Sequence, residues 1–123
     1  MKVHNILDTT GEEPVFTNRF SANIFWLTKK DFNKDEKLII RLATQEMFCK
    51  VIAISKRINS STLELIGEDA VVLKNLEVGE VVIETKRPIA IKNFNDIQEL
   101  GRFVLVRDGD TCAGGIITDT GLE

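Results

Sequence analysis

Catalytic side chains are scarce in this chain. It has a single histidine, His4, which lies in a polar, turn-rich leader and is read as a surface residue. A Ser/His/Asp or Cys/His arrangement would have to use it, so nucleophilic catalysis of those kinds is set aside. No glycine is followed by lysine, which removes a P-loop, and no GxGxxG fingerprint occurs. The two cysteines, Cys49 and Cys112, lack metal-ligand spacing and are read as reduced, buried thiols. No apolar run approaches the roughly 20 residues a membrane helix needs, and the N-terminus lacks the apolar core of a signal peptide. The expected location is therefore the cytoplasm. A formal charge of −3 argues against a nucleic-acid surface, where a basic stripe is expected. The basic pairs Lys29-Lys30, Lys56-Arg57 and Lys86-Arg87 read as solvated strand ends, and Asp35-Glu36 and Glu68-Asp69 as loop charges. Asp108 and Asp110 flank Gly109, but two carboxylates without further ligands make a poor cation cage. By its own residues the chain is not an enzyme, and no metal or cofactor site is expected in it.

What the chain does have is strand periodicity. The 123 residues fit one domain, and an apolar fraction of 43% is ordinary for a globular protein. Phe20, Ala22, Ile24 and Trp26 alternate onto one face of a first strand, with Trp26 expected in the core. Leu38, Ile40 and Leu42 alternate in a second, followed by a turn near Thr44-Gln45. Met47 to Ile58 reads as a long third strand whose face joins Phe48, Ile52, Ile54 and Ile58 with Lys50 and Lys56. Ala70 to Leu73 is a short apolar run. Val78 to Thr85 is a further strand, with Gly79 as a bulge, and Pro88 is expected to end its regular pairing. Asn93 to Gln98 could form one capped turn, and Ser60 to Ile66 is ambiguous.

The most specific wording is Leu100 to Ile117, LGRFVLVRDGDTCAGGII. Phe103 to Val106 is a continuous apolar run, as for a strand buried on both faces. Asp108-Gly109 then supplies the two positive φ angles that a two-residue type I′ turn needs. Thr111 to Ile117 returns as a partner strand, in which Gly114-Gly115 marks a bulge or a close backbone approach. Six or seven strands at spacings of about ten residues, with almost no helix, argue for a sandwich or barrel. Closure is favoured because strands apolar on both faces would otherwise leave aggregating edges. Residues 1–16 read as a linker, 17–120 as the barrel, and 121–123 as a tail whose Leu122-Glu123 has the look of an expression-tag remnant.

Gly101-Arg102-Phe103, Arg107-Asp108, Thr111, Gly115 and Ile116-Ile117 resemble the closing hairpin of the third domain of elongation factor Tu superfamily GTPases. Phe20-Ser21-Ala22 resembles the opening of the same domain, and Ile6-Leu7 with Gly11 the exit from a preceding barrel. Ile24 to Leu27, Lys56 to Glu64, Leu73-Lys74-Asn75 and Arg87-Pro88-Ile89 are similar to the branch that forms the GTP-binding subunit of sulfate adenylyltransferase. Cys112-Ala113-Gly114 and the Arg-Asp turn depart from that branch, and the turn is closer to the translation factors. The resemblance implies an all-β, closed six-stranded Greek-key barrel. It also implies a non-catalytic module of a parent that binds GTP and Mg in a separate GTPase domain, with formation of adenylyl sulfate residing in a catalytic partner subunit. The expected contacts are the preceding barrel, the GTPase domain and that subunit. The alternative is the third domain of a translation GTPase contacting transfer RNA. Arg102, Arg107 and Asp108 are the candidate docking edge around the hairpin; solvated or locally paired strand-end charges explain them as well.

Overall fold

The computed structural model describes residues 15–91 and 101–119. They form β1 (Val15–Trp26), β2 (Phe32–Asn33), β3 (Lys37–Leu42), β4 (Gln45–Asn59), β5 (Leu65–Ala70), β6 (Val72–Leu73), β7 (Glu77–Ile91), β8 (Arg102–Arg107) and β9 (Asp110–Asp119). The turn expected over Asn93 to Gln98 lies outside the described residues. Six strands close into a ring in the order β3-β8-β9-β1-β7-β4, and a β3–β4 ladder joins its ends. Every pairing is antiparallel. This is the closed six-stranded barrel that the resemblance implies, and one of the two architectures, sandwich or barrel, that the strand spacing allows. The described part contains no helix long and apolar enough to cross a membrane.

Alternation fills the barrel as expected at β1 and β3. Phe20, Ala22, Ile24 and Trp26 are buried, as are Leu38, Ile40 and Leu42. Phe103 packs edge-on against Phe20 at 6.0 Å between ring centroids. β1 begins at Val15, pairing with Ile91, two residues ahead of the boundary expected at residue 17. The small β2–β6 ribbon pairs Phe32 with Leu73, both fully buried, and Phe32 lies 4.9 Å from the Trp26 ring. Full burial of one such side chain stabilises by about 1.5–3 kcal/mol, so this ribbon is part of the core despite its length.

β4 departs from the expected face. Cys49, Val51 and Ile54 are the buried residues, whereas Phe48 is exposed and Ile52 and Ile58 are only half-buried. The ladder to β7 shifts register between Val51 and Ala53 and again between Ile54 and Lys56. A bulge adds one residue and so exchanges the inward and outward sets beyond it. The shift falls where β4 changes neighbour: β3 pairs with residues up to Lys50, and β5 takes over at Ile54. The ambiguous segment Ser60 to Ile66 opens as a turn, in which the Asn59 carboxamide oxygen accepts from the backbone N–H groups of Ser61 and Thr62 at 2.8 and 2.9 Å, and ends in β5 from Leu65.

Two glycine and proline expectations are also corrected. Gly79 pairs in continuous register with Ile24 and is no bulge; a Cβ there would come within 3.0 Å of the Leu73 side chain, so it marks a close approach. Pro88 interrupts β7 without ending it. The β1 ladder skips from Arg19–Glu84 to Thr17–Ile89 and continues to Ile91. The β4 ladder stops at Thr85, and there the Gln45 carboxamide takes over the backbone of Ala90, accepting from its N–H at 2.8 Å and donating to its carbonyl at 3.0 Å.

Candidate functional site

The closing hairpin forms as its sequence predicts. Asp108 has φ 52° and Gly109 φ 85°, and Arg107 pairs with Asp110 across the two-residue turn. Phe103, Leu105 and Val106 are buried, while Val104 is half-buried on the outer face. The bulge lies at Cys112, between the Leu105–Ala113 and Val106–Thr111 pairs, and not at the glycines. Gly115 is a close approach: a Cβ would come within 2.4 Å of Phe103 Cζ and 2.9 Å of Ile24 Cγ2, whereas at Gly114 it would meet nothing within 4 Å. Both cysteines are free and buried, as read from the sequence. Burial pushes the Cys49 thiol up to about 12 and that of Cys112 to about 11, so neither is a nucleophile at neutral pH. The Cys112 thiol donates to the Leu105 carbonyl at 3.4 Å.

The three candidate residues do not share one edge. Arg102 starts β8 and Arg107 ends it, about 17 Å apart at the strand rise of ~3.3 Å per residue. Arg102 is exposed and rims an outer groove of about 530 Å³, together with Phe25, Val104 and Ile116 over the glycine floor of β9. Asp108 is exposed at the turn. Arg107 is turned inward with a side chain only 11% exposed. Its Nε donates to Glu36 Oε2 at 2.7 Å and its Nη2 to Glu36 Oε1 at 2.8 Å. Nη2 also donates to the Asp31 carbonyl at 3.2 Å, and Nη1 to that of Lys30 at 3.5 Å. The guanidinium lies 4.9 Å over the Trp26 ring, whose Nε1 donates to the Lys30 carbonyl at 2.9 Å. One arginine thus ties the hairpin to the segment between β1 and β2. Glu36, read from the sequence as a loop charge, is its partner; nothing in local spacing links two residues that the fold alone brings together.

A second internal pair was also hidden in the sequence. Arg57, read as a strand-end charge, donates twice to Glu77, at 2.9 and 2.8 Å, and both side chains are largely buried. Burial by itself would raise the Glu77 carboxyl. The hydrogen bonds from Arg57 and the Lys74 N–H outweigh it and hold the carboxyl below its ordinary value of 4.5. A depressed folded-state pKa stabilises above the unfolded value, and that contribution is lost as pH falls through the folded value. The protein is therefore expected to lose stability as pH drops below 4.5, and Glu77→Gln to flatten that dependence, as read by urea midpoints on either side of pH 4.5. Among the described residues no group of three His, Cys, Asp or Glu side chains could hold a metal.

A closed six-stranded barrel with this hairpin defines a third-domain module of elongation-factor-like GTPases. Residues 19–118 match the family described as GTP-eEF1A C-terminal domain-like, and the chain belongs to that family. It is 28% identical to sulfate adenylyltransferase subunit 1 of Tolumonas auensis, over 83% of this chain and 21% of that protein. It is 32% identical to elongation factor 1-alpha of Ignicoccus hospitalis, over 86% of this chain and 24% of that protein. The crystal structure of sup35 complexed with GDP superposes with a TM-score of 0.81, covering 93% of this chain and 28% of that one at 21% identity. The chain thus spans about a fifth to a quarter of the length of these curated relatives, and both branches match it at similar identity.

Proposed function

We propose that this barrel is a non-catalytic C-terminal domain of a sulfate adenylyltransferase GTP-binding subunit. In that parent, GTP and Mg would bind a separate GTPase domain, and GTP hydrolysis would be coupled to adenylyl sulfate formation in a catalytic partner subunit. The barrel would pack on the preceding barrel and the GTPase domain and help hold the partner, with Arg102 and Asp108 as exposed contacts and Arg107 shaping the hairpin from within. The observation that carries this reading is the closed barrel with its closing hairpin, which matches a C-terminal-domain family over residues 19–118 and corresponds to 21% of the length of a sulfate adenylyltransferase subunit 1. The branch rests on the order of its motifs along nearly the whole chain. Co-purification of the full-length parent with its catalytic subunit, with and without this segment, tests it. Loss of the complex or of GTP coupling is expected; retention of both would sink the proposal.

The translation-factor reading is favoured by one feature, the Arg107-Asp108 turn. An RNA-contacting barrel would show log affinity falling by roughly 0.7 to 0.9 per phosphate contact for each log unit of salt. A net charge of −3 favours the first reading.

A further inference from the structure

We propose that the outer face of β3, β4 and β7 around Phe48 is a docking surface for an acidic protein segment, one in which carboxylates alternate with apolar side chains. The ladders arrange this face in rows. Arg41 is opposite Glu46, Ile39 opposite Phe48, and Lys37 opposite Lys50, which in turn faces Glu84 on β7. The first row is neutral, since Arg41 bonds Glu46 at 3.1 Å. In the third row Glu84 is taken by Arg19 at 2.9 Å. Two lysines are left directly opposite each other, an arrangement that costs stability in a sheet. Lys86 and Arg87 add two more exposed cations beside them, and no described carboxylate lies within ion-pair distance of Lys37, Lys50, Lys86 or Arg87. Between the rows sits Phe48, 46% exposed. Two depressions of about 170 and 310 Å³ flank it and share Phe48 and Lys86 as walls.

Four cations without a carboxylate partner among the described residues, set around an apolar row, call for an occupant with both anions and apolar side chains. A strand-like segment alternating the two supplies them at the spacing of the sheet. Nucleic acid fits less well. The Lys37 ammonium lies over one face of the Phe48 ring, 4.5 Å from its centroid, where a base would stack.

The test uses the whole 123-residue chain. A short fluorescein-labelled peptide alternating glutamate with leucine around a phenylalanine is titrated by fluorescence anisotropy, beside its lysine-for-glutamate counterpart and oligouridylate. The glutamate peptide is expected to bind saturably. Lys50→Gln with Lys86→Gln is expected to weaken it by roughly 3- to 30-fold, the range for losing two exposed charge contacts. Phe48→Ala, removing a half-exposed ring, should weaken it independently, with no more than the small fall in thermal midpoint that losing its cross-strand pair with Ile39 brings. Lys50→Gln removes a like-charge opposition, so it should hold or raise that midpoint. No binding of the glutamate peptide, equal binding of the lysine peptide, or unchanged affinity in both variants would overturn the proposal. Tighter binding of oligouridylate, weakened by the same variants, would assign the face to nucleic acid and overturn it too.

Discussion

Gly115→Ala is expected to lower the free energy of unfolding by about 2–3 kcal/mol, while Gly114→Ala one residue earlier changes it by no more than about 0.5 kcal/mol. The two glycines are adjacent in β9 and alike in sequence, but they face opposite ways. At Gly115 an added methyl would lie 2.4 Å from Phe103 Cζ and 2.6 Å from Cε1, and behind that ring stands Phe20. The ring cannot retreat without moving a packed core, and packed cores answer even one methylene. At Gly114 the methyl would enter the outer groove, where nothing lies within 4 Å. Urea denaturation of the two variants measures the contrast, and equal effects would contradict the geometry. Phe103→Leu in the Gly115→Ala background should recover part of the loss, because it removes the atoms that collide. A cost at Gly115 that Phe103→Leu left untouched would trace the loss to the backbone instead.

Arg107→Ala is expected to lower the free energy of unfolding by about 2–3 kcal/mol. Breaking a fully buried ion pair costs about 3–5 kcal/mol, and the figure is reduced here because Glu36 is 29% exposed. Three losses combine: a bidentate carboxylate contact, donors for two backbone carbonyls, and a cation resting on an indole. Arg107→Lys should rescue little, since an ammonium can neither fork onto both Glu36 oxygens nor lie flat on the Trp26 ring. Trp26 is the chain's single tryptophan and there is no tyrosine, so its emission reports this site cleanly. A red shift in Arg107→Ala under native conditions would show the 27–31 segment released from the hairpin. An unshifted spectrum with unchanged stability would remove Arg107 from its bracing role. Partner-binding experiments that seek a docking edge should therefore vary the exposed Arg102 and Asp108 before Arg107, using Asp108→Asn so that the positive φ of the turn is kept.

Much of the barrel was legible in the sequence because its information is local. Alternation in β1 and β3 has period two and needs no knowledge of neighbours. The Asp108-Gly109 turn states its own backbone conformation, and both φ angles are positive as required. β4 was misread where information is non-local. Phe48 is a strong apolar residue that alternates correctly with Ile52 and Ile54, and only the bulge after Val51 reveals that the inward set is Cys49, Val51 and Ile54. Pro88 was read as an end because proline lacks an N–H, yet the Gln45 side chain serves the backbone beyond it from a distant strand. The site followed the same division. The hairpin is visible in the sequence, but Arg107 stays open there between a docking edge and a paired charge, because Glu36, the residue that turns it inward, lies far away in the chain.

Ring closure has a consequence for how the protein acquires its structure. β1 sits between β7 and β9, so the first of the described strands gains its two neighbours only from the later strands of the barrel. Until then, its inward row of Phe20, Ala22, Ile24 and Trp26 has no lasting cover. Pairings between such distant segments carry a large loop-closure entropy before any contact repays it, so folding is slow relative to helical domains of the same size. In a longer parent chain, synthesis of β9 would be the event that commits this barrel to its native state. Truncation even a few residues short of Ile117 would leave both β1 and β8 with open, apolar edges, a state prone to aggregation.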